Sequence, residues 1–421
     1  MEGILLKRVL ALVLALVTIL SLVACSGPQA TQPSAGSDQS ATPAADASGG
    51  KYHVGIVTGT FSQAEDEARG AEALIKEYGD VANGGMIKHV TYPDNFASEL
   101  ETTISVIAGL ADDPQMKAII VNQGVGGTAP AFQQIREKRP DILLLVGMPQ
   151  EDPNVISAAA DVVSDVDNIS RGYYMIKNAK DMGAKTFVHI SFPRHMSIEL
   201  LARRRAIMEQ ACKDLGINFA FETAPDPATD VGLAGAQAQL LQMMPGLIAK
   251  YGKDTAFFTT NDGLSEPLIK QVVNNGAIYA ENDTPTPLIG FPAALNLDLK
   301  DVAGDFPAIT KRIEDAIVAK GESGRVGLCA YSFSYCNSVG LAKFAMDVID
   351  GKAKKDDNAA VIAAFDKITP GCKWVTSNYA DVKTGEVKKN YLLVLEDTYI
   401  VGKGFAGATN TPVPEQYTKI Y

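Results

Sequence analysis

Polar and charged residues stand directly after several short apolar segments of the chain, where predicted strands end. Asp262 follows the apolar residues 256–259, and the pair Arg194 and His195 follows residues 186–191. A carboxylate accepts hydroxyl hydrogen bonds, and the planar fork of Arg suits a carboxylate or a phosphate. His195 would add a pH-sensitive group, or serve only as a hydrogen-bonded neighbour. This chemistry suits recognition of a small polar ligand, with Asp262, Arg194 and His195 as candidate contacts.

Two of these residues also have an ordinary structural interpretation. Asp is a favoured helix N-cap, so Asp262 fits either role. Arg194 equally fits a surface loop or an ion pair with a carboxylate of a facing domain. The sequence leaves these alternatives open.

A glycine-rich segment, residues 124–128 (GVGGT), follows the apolar run 116–121 and precedes a predicted helix. Its glycines let backbone amides point towards a ligand, and a helix N-terminus favours an anion or a polar oxygen. Gln123 and Gly124 are therefore candidate binding residues, although a tight turn without a ligand explains them equally well. The segment is not a P-loop, since it has no Lys, and its glycine spacing is not that of a dinucleotide fingerprint.

The sequence gives little support for catalysis, a metal site or a cofactor. Its four histidines form no His-x-x-x-His pair, its five cysteines form no Cys-x-x-Cys pair, and it has no Gly-x-Ser-x-Gly motif. Cys212 is expected to be a free buried thiol, whereas a bridge from Cys372 to Cys329 or Cys336 stays open. We therefore expect no catalytic residue, no metal ligand and no cofactor, and a protein that is not an enzyme.

Apolar strands and amphipathic helices alternate along the chain from residue 54 onwards. The continuous apolar runs include 54–57, 116–121, 142–146, 287–290 and 326–331. Such runs, joined by helices, indicate parallel sheets covered on both faces. The pattern restarts after residues 165–168, which predicts an α/β fold with two doubly wound parallel-sheet domains. Ligands of such sheets bind beyond the carboxyl ends of the strands, so two facing sheets would enclose a cleft.

The first fifty residues are expected to lie outside the fold. Lys7 and Arg8 precede the apolar residues 9–24, which is typical of a secretory signal over 1–24. The run is shorter than the ~20 residues that span a bilayer. Residues 25–50 are rich in Ser, Ala, Gly, Pro, Gln and Thr and indicate a flexible tether.

Composition excludes several broad classes of function. The chain has 421 residues, a formal net charge of −11 and 46% hydrophobic residues, which is typical of a globular protein with a large core. The acidic balance argues against nucleic acid, whose phosphates need a basic surface, and against charge-driven binding to anionic lipid. A mean hydropathy of +0.03 argues against a polytopic membrane protein.

Several motifs resemble the type I periplasmic binding proteins, the sugar- and nucleoside-binding receptors of ABC importers, over roughly residues 52–400. Residues 257–262 (FFTTND) resemble the strand-end motif of sugar receptors, and 288–291 (LIGF) resemble the next strand, although Pro292 stands where that family usually has Asp. Residues 339–352 resemble the family's late helix that ends in Gly-Lys. The chain is also similar to a poorly characterised branch of lipoproteins with this fold, and Cys25 after Leu-x-Ala resembles a bacterial lipobox.

The resemblance implies further site residues and a domain division. Thr60 and Phe61 follow the first strand, where sugar receptors often place a stacking aromatic, although Phe61 equally fits packing onto the next helix. The family pattern selects Arg204 for ligand contact, while a helical wheel favours its neighbour Arg205. Phe333 would reach the cleft near the hinge. The N-terminal lobe is expected over 51–166 and about 325–355, and the C-terminal lobe over 167–324 and about 356–421.

The resemblance also implies a function and partners. The protein would be an extracytoplasmic lipoprotein, lipidated at Cys25, that captures a small polar metabolite (a sugar, nucleoside or related compound, neutral or anionic) by hinge closure and delivers it to an ABC permease. The alternative is a sensory receptor for a histidine kinase or chemotaxis partner. A monomer held at the membrane by its lipid, without nucleic acid, is expected.

Overall fold

The computed structural model describes residues 52–61, 64–227, 229–407 and 410–420. The predicted signal, Cys25 and the tether lie outside the described residues. Among those that are described, no helix is both long and apolar enough to cross a bilayer.

A seven-stranded sheet forms the centre of the first lobe. Its strands are β1 (His53–Thr58), β2 (Ile87–Thr91), β3 (Met116–Asn122), β4 (Leu143–Gly147), β5 (Val162–Val166), β11 (Trp374–Ala380) and β12 (Val387–Glu396). Their spatial order is β11-β12-β5-β4-β3-β1-β2. All neighbours are parallel except β11, which runs antiparallel to β12 at one edge. The five residues of β4 are all buried, because helices cover both faces of the sheet.

A four-stranded parallel sheet forms the second lobe. It contains β6 (Thr186–Ser191), β7 (Asn218–Thr223), β8 (Thr255–Thr259) and β9 (Ile278–Tyr279), in the order β7-β6-β8-β9. A small antiparallel sheet extends this lobe with β10 (Gly327–Cys329), β13 (Thr398–Ile400) and β14 (Gly404–Phe405). A parallel bridge between Tyr279 and Val326 joins the two sheets.

Helices pack against both sheets. Those of the first lobe are α1 (Glu65–Tyr78), α2 (Leu100–Ala108), α3 (Thr128–Lys138), α4 (Pro153–Ala159), α12 (Phe333–Ile349) and α13 (Asn358–Asp366). Those of the second lobe are α5 (Asn168–Asp181), α6 (Pro193–Met196), α7 (Glu199–Leu215), α8 (Gly232–Tyr251), α9 (Ser265–Asn275), α10 (Phe291–Leu295), α11 (Phe306–Val318) and α14 (Glu415–Thr418). Short 3-10 turns occupy Val81–Asn83, Gly109–Asp112, Asp262–Leu264 and Lys300–Val302.

The chain crosses between the lobes three times, over very short segments. Only Asp167 separates β5 from α5, and only Asp397 separates β12 from β13, while residues 330–332 separate β10 from α12. The backbone N–H of Tyr331 donates to Glu396 Oε1 at 2.9 Å, which ties the second crossing to the third. Burial raises the pKa of the Glu396 carboxyl well above its ordinary value.

The expected lobe boundaries need two corrections. Residues 374–396 form β11 and β12 and belong to the first sheet, since β12 pairs with β5, whereas the sequence placed 356–421 in the C-terminal lobe. Residues 391–395 are buried because β12 lies inside the sheet, between β5 and β11. Conversely, β10 pairs with β13 and belongs to the second lobe, whereas the sequence predicts residues from about 325 to 355 in the N-terminal lobe.

One predicted strand is also wrong. Residues 287–290 form no strand, and the edge strand of the second sheet is β9, ten residues earlier in the chain. With only two residues, β9 is too short to give a recognisable apolar run.

An aromatic cluster fixes the packing of α12 in the first lobe. Phe333 is 1% exposed, and its ring centroid lies 5.9 Å from that of Trp374 and 6.2 Å from that of Phe365. The prediction that Phe333 reaches the ligand cleft is therefore wrong. Its ring joins α12 to α13 and β11, so burial in the core explains its apolar character.

We expect Phe333→Ala to lower the free energy of unfolding by ~3–5 kcal/mol, because it leaves a cavity in this cluster. Phe61→Ala is the matched control: Phe61 is 44% exposed, and its loss is expected to cost less than about 1 kcal/mol. Urea denaturation of both variants measures the difference. Equal losses would contradict the core assignment of Phe333.

Candidate functional site

A cavity of about 220 Å³ lies between the carboxyl ends of the two parallel sheets. The first lobe contributes residues that follow β3 and β4 and the last two residues of β5, and the second lobe contributes residues from α5, α7 and the segment after β9. The lining residues are Gln123, Met148, Pro149, Gln150, Asp165, Val166, Asn168, Arg171, Leu201, Arg204, Asp283 and Thr284. The strand-end rule for open parallel sheets therefore locates an open cavity that residues of both lobes line.

Arg204 is the most deeply buried cation of this cavity, with 1% of its surface exposed. Its guanidinium donates to Asn168 Oδ1 at 2.7 Å, to Thr260 Oγ1 at 3.2 Å and to Asp283 Oδ1. It also lies 4.9 Å from the centre of the Phe258 ring. A buried Arg needs such partners, and Asp283 supplies the opposite charge. Arg204, which the family pattern selects, lines the cavity, and its contact with a ligand stays a prediction.

Arg171, which the sequence analysis missed, holds the segment after β9 in place. Its Nε donates to Glu281 Oε1 at 2.8 Å, its Nη1 donates to the carbonyl of Asp283 at 2.6 Å, and its Nη2 donates to the carbonyl of Asn282. Thr398 Oγ1 donates to the other oxygen of Glu281 at 2.6 Å. The loop that presents Asp283 to Arg204 is thereby fastened to α5 and to the third crossing.

The polar segment 281–284 (ENDT) was the available signal for this loop. It begins two residues after the end of β9, where strand-end residues lie, whereas the apolar pattern predicts the strand at 287–290. The polar residues therefore fell before the predicted strand end instead of after it.

Gln123 and Gln150 form the amide wall of the cavity in the first lobe. Gln150 Nε2 donates to Gln123 Oε1 at 2.8 Å, and Gln123 Nε2 donates to Glu67 Oε1 at 3.1 Å. Burial raises the pKa of the Glu67 carboxyl. Gln123 therefore lines the cavity, and its contact with a ligand stays a prediction.

Gly124 brings the loops after β3 and β4 together. Its N–H donates to the carbonyl of Gly147 at 3.0 Å, and its own carbonyl accepts from the N–H of Gln150 at 2.8 Å. A Cβ at this position would lie 2.4 Å from a methyl carbon of Val146, so a side chain does not fit. Gly124 therefore shapes the wall that Gln123 and Gln150 form.

The helix N-terminus after the glycine-rich segment already has an anionic partner. Glu151 Oε1 accepts from the N–H of Gly127 at 3.0 Å, and its Oε2 accepts from the N–H of Ala129 at 2.8 Å. This carboxylate satisfies the first N–H groups of α3. The expectation that these amides bind a ligand anion is therefore wrong.

Asp262 supports the cavity from behind. Its carboxylate accepts from the N–H of Thr284 at 3.1 Å and from the Thr284 hydroxyl at 2.6 Å. Burial, together with the nearby Asp283, raises the pKa of Asp262 to about 6. The residue thus orients Thr284, which lines the cavity.

Arg194 and His195 lie on the second lobe, outside the cavity lining. Arg194 is half-exposed and forms a two-pronged ion pair with Asp226, with both distances at 2.8 Å. His195 Nδ1 lies 3.2 Å from the carbonyl of Thr260, and its ring packs on Phe192. Burial lowers the pKa of His195. The pairing of Arg194 corresponds to the ion-pair alternative, although Asp226 belongs to the same lobe.

Thr60 and Phe61 lie after β1, also outside the cavity lining. The Thr60 hydroxyl donates to Asp94 Oδ1 at 2.5 Å. The Phe61 ring is exposed and stacks with the Arg69 guanidinium, 5.1 Å from the ring centre. Ligand contact by these two residues stays a prediction.

The four cysteines of the described residues are buried free thiols. Burial raises the pKa of Cys212 to about 12, consistent with the inert core thiol expected from its helix face. Within the described part of the chain, no group of His, Cys, Asp or Glu side chains has an arrangement that could hold a metal ion.

Comparisons with known proteins match both sequence and fold. A family described as "Protein of unknown function (DUF3798)" matches residues 52–327, and a second family model matches 338–420. A Treponema pallidum (strain Nichols) protein described as uncharacterized is 48% identical over 179 residues, which span 42% of this chain and 81% of that relative. A second protein of that strain is 38% identical over 215 residues, spanning 51% of this chain and 97% of the relative.

Solved structures align with most of the chain. A putative transcriptional regulator from Clostridium difficile 630 has a TM-score of 0.74 and 25% identity, covering 83% of this chain and 99% of its own. A sugar ABC transporter protein from Actinomyces odontolyticus ATCC 17982 has a TM-score of 0.49 and 10% identity, with coverages of 72% and 85%. A periplasmic solute binding protein from Actinobacillus succinogenes 130z with bound D-allose has a TM-score of 0.46 and 14% identity, with coverages of 72% and 93%. The parallel sheets of the structure and the likeness to the first of these proteins confirm the predicted fold class, two α/β lobes with parallel sheets.

The titration of Asp262 predicts a pH dependence of stability. Its folded pKa of about 6 exceeds the ordinary value of 3.8, so the folded state binds the proton more tightly than the unfolded state. The stabilisation is fully present below pH 3.8 and is lost as the pH rises through 6. Relative to Asp262→Asn, the wild type should gain roughly 1 kcal/mol of unfolding free energy between pH 7 and pH 5.

Urea denaturation of both proteins at the two pH values measures this difference. Asp301→Asn is the control. Asp301 is exposed and paired with Arg312, which lowers the pKa of the Asp301 carboxyl. Its removal should therefore leave the change in unfolding free energy between pH 7 and pH 5 unaltered. Equal pH dependence in the wild type and in Asp262→Asn would contradict the burial argument.

Proposed function

We propose that this chain, which belongs to the family described as "Protein of unknown function (DUF3798)", is an extracytoplasmic solute-binding protein. It captures a small polar metabolite in the cavity between its lobes. The observation that carries the proposal is the convergence of polar side chains from both lobes, Gln123 and Gln150 from one and Arg204, Asp283 and Thr284 from the other, on one cavity. Concave sites between domains with a few convergent polar groups are typical of ligand binding.

The proposed ABC permease partner and the proposed location of the protein are supported by the sequence alone. The secretory signal and the lipobox-like Cys25 support a lipid-anchored protein on the outer face of the cell membrane, acting as a monomer that hands its ligand to an ABC permease. The runner-up is a sensory receptor with the same cleft, whose closed form signals to a histidine kinase or chemotaxis partner. A permease and ATPase encoded beside this gene would favour import, and a kinase would favour sensing.

The likeness to a putative transcriptional regulator does not favour DNA binding here. Because 99% of that chain aligns with this one, the likeness concerns the two-lobed core alone. The net charge of −11 opposes contact with phosphates.

Ligand capture is tested by native mass spectrometry of the purified protein, followed by a thermal-shift screen of polar metabolites. We expect a co-purified small molecule, or a metabolite that raises the melting temperature. Gln123→Ala and Asn168→Ala should each weaken binding of that compound at least tenfold, because each removes a polar group from the cavity wall.

Arg194→Ala is the matched control, since Arg194 pairs with Asp226 outside the cavity. Its binding should equal that of the wild type. Normal binding by both cavity variants would show that the ligand binds elsewhere, and the absence of any bound compound would count against solute binding.

A further inference from the structure

A small apolar cluster joins the two lobes close to the third crossing. Tyr174 and Leu395 are buried at its centre, and Tyr173, Val375 and Val413 pack against them. Val375 and Leu395 belong to β11 and β12 of the first lobe, whereas the other three residues belong to the second lobe. We call these five residues the rear cluster. They form an apolar contact between the lobes that the site described above does not use.

The order of strands in the first sheet places the rear cluster opposite the cavity. The cavity takes residues that follow β3 and β4 and the end of β5, whereas the rear cluster takes residues of β12 and β11. In the order β11-β12-β5-β4-β3, the crossings at the ends of β5 and β12 stand between the two. The remaining crossing is tied to the end of β12 through Tyr331 and Glu396. The crossings therefore form a pivot between the cavity and the rear cluster.

The C-terminal segment that presents Val413 is fastened to the second lobe on both sides of this residue. Before it, the Tyr174 hydroxyl donates to the carbonyl of Thr411. After it, the Tyr417 hydroxyl donates to Asp214 at 2.8 Å, at the end of α7. Val413 therefore moves with the second lobe and not with the strands of the first lobe that it faces.

The rear cluster covers only part of this junction. Beside it lies a cavity of about 540 Å³ that residues of both lobes line, among them Ile169 and Thr418 from the second lobe and Thr376 and Leu393 from the first. A close-packed core resists separation along its whole surface, whereas a few apolar side chains beside a cavity can part without unpacking either lobe. Their burial still favours the orientation seen here, because separation would expose them to water.

We propose that the rear cluster is a built-in stop that holds the lobes in the open orientation and opposes closure of the cavity. A rotation about the crossings that brings the lobes together at the cavity moves them apart at the rear cluster. A bound solute must therefore supply the free energy that separates the cluster, so its affinity depends on residues that it does not touch. This inference rests on the proposed solute-binding function and adds a means of regulating it.

Double electron–electron resonance between nitroxides on the two lobes tests the stop without any ligand. Labels at Ala97→Cys and Asp230→Cys report the width of the cleft, because both positions are exposed and follow β2 and β7, the edge strands farthest from the crossings. A Cys25→Ser background leaves only buried thiols besides the labels. Val413→Asp places a charge in the rear cluster and should raise the population with the shorter distance relative to the wild type.

Val318→Asp is the matched control, since Val318 is exposed at the end of α11, and it should leave the distance distribution unchanged. Tyr174→Phe keeps the ring and removes only the bond to the carbonyl of Thr411, so it should raise the shorter population less than Val413→Asp does. An unchanged distribution in Val413→Asp, or a shift to longer distances, would overturn the proposal. If that variant does not fold, Val413→Ala and Tyr174→Phe replace it, and no shift in either would overturn the proposal equally.

The stop and the solute-binding function fail separately. Loss of the stop leaves solute binding standing, because native mass spectrometry and the metabolite screen test that function in the wild type. Absence of any bound compound would count against solute binding, whereas the distance measurement would still show whether the rear cluster holds the lobes apart.

Discussion

The cost of burying Arg171 organises the region where the two lobes meet. A guanidinium with 2% exposure is tolerated only if its charge is balanced and its N–H groups are satisfied. Glu281 supplies the charge, and the carbonyls of Asn282 and Asp283 accept further bonds. Glu281 in turn accepts from Thr398, which accepts from Asn178 at 2.9 Å. One buried cation therefore fixes the loop after β9, the start of the second lobe and the third crossing.

The same arrangement determines what the cavity presents to a ligand. With its backbone held by Arg171, Asp283 is directed to Arg204, and Thr284 is directed to Asp262. Charge pairs form within the second lobe, while the amides of Gln123 and Gln150 come from the first. The helix N-terminus of α3 is satisfied by Glu151, so recognition at this site depends on side chains and not on a helix dipole.

The general location of the site could be predicted from the sequence, but the ion-pair and hydrogen-bond partners of its residues could not. Gln123 could be placed near the cavity because the strand-end rule depends only on apolar periodicity, which local sequence carries, whereas Arg204, on α7, was selected by the resemblance to the family pattern. Asp283 and Thr284 were missed because β9 has two residues and leaves no apolar run. The partners of Arg194 and of the α3 N-terminus, Asp226 and Glu151, lie 32 and 22 to 24 residues away along the chain, respectively. Such pairings depend on the packing of loops, which residue type and spacing do not encode. Phe333 was misassigned because an aromatic residue after a strand fits a ligand contact and a core position equally well.

The three crossings have a kinematic consequence. Two of them consist of a single residue, and the third has three, so few backbone dihedrals are available to move one lobe against the other. Translation and shear are then suppressed, and rotation about an axis through the crossings is the remaining soft motion. Asp165 and Asn168 lie within two residues of the first crossing, so a rotation about such an axis would displace them little. Gln123 and Gln150 follow other strands and travel farther. The charge of a ligand would thus be recognised by residues close to the rotation axis, which move little. Its size would be recognised by Gln123 and Gln150, which lie farther from the axis and move more.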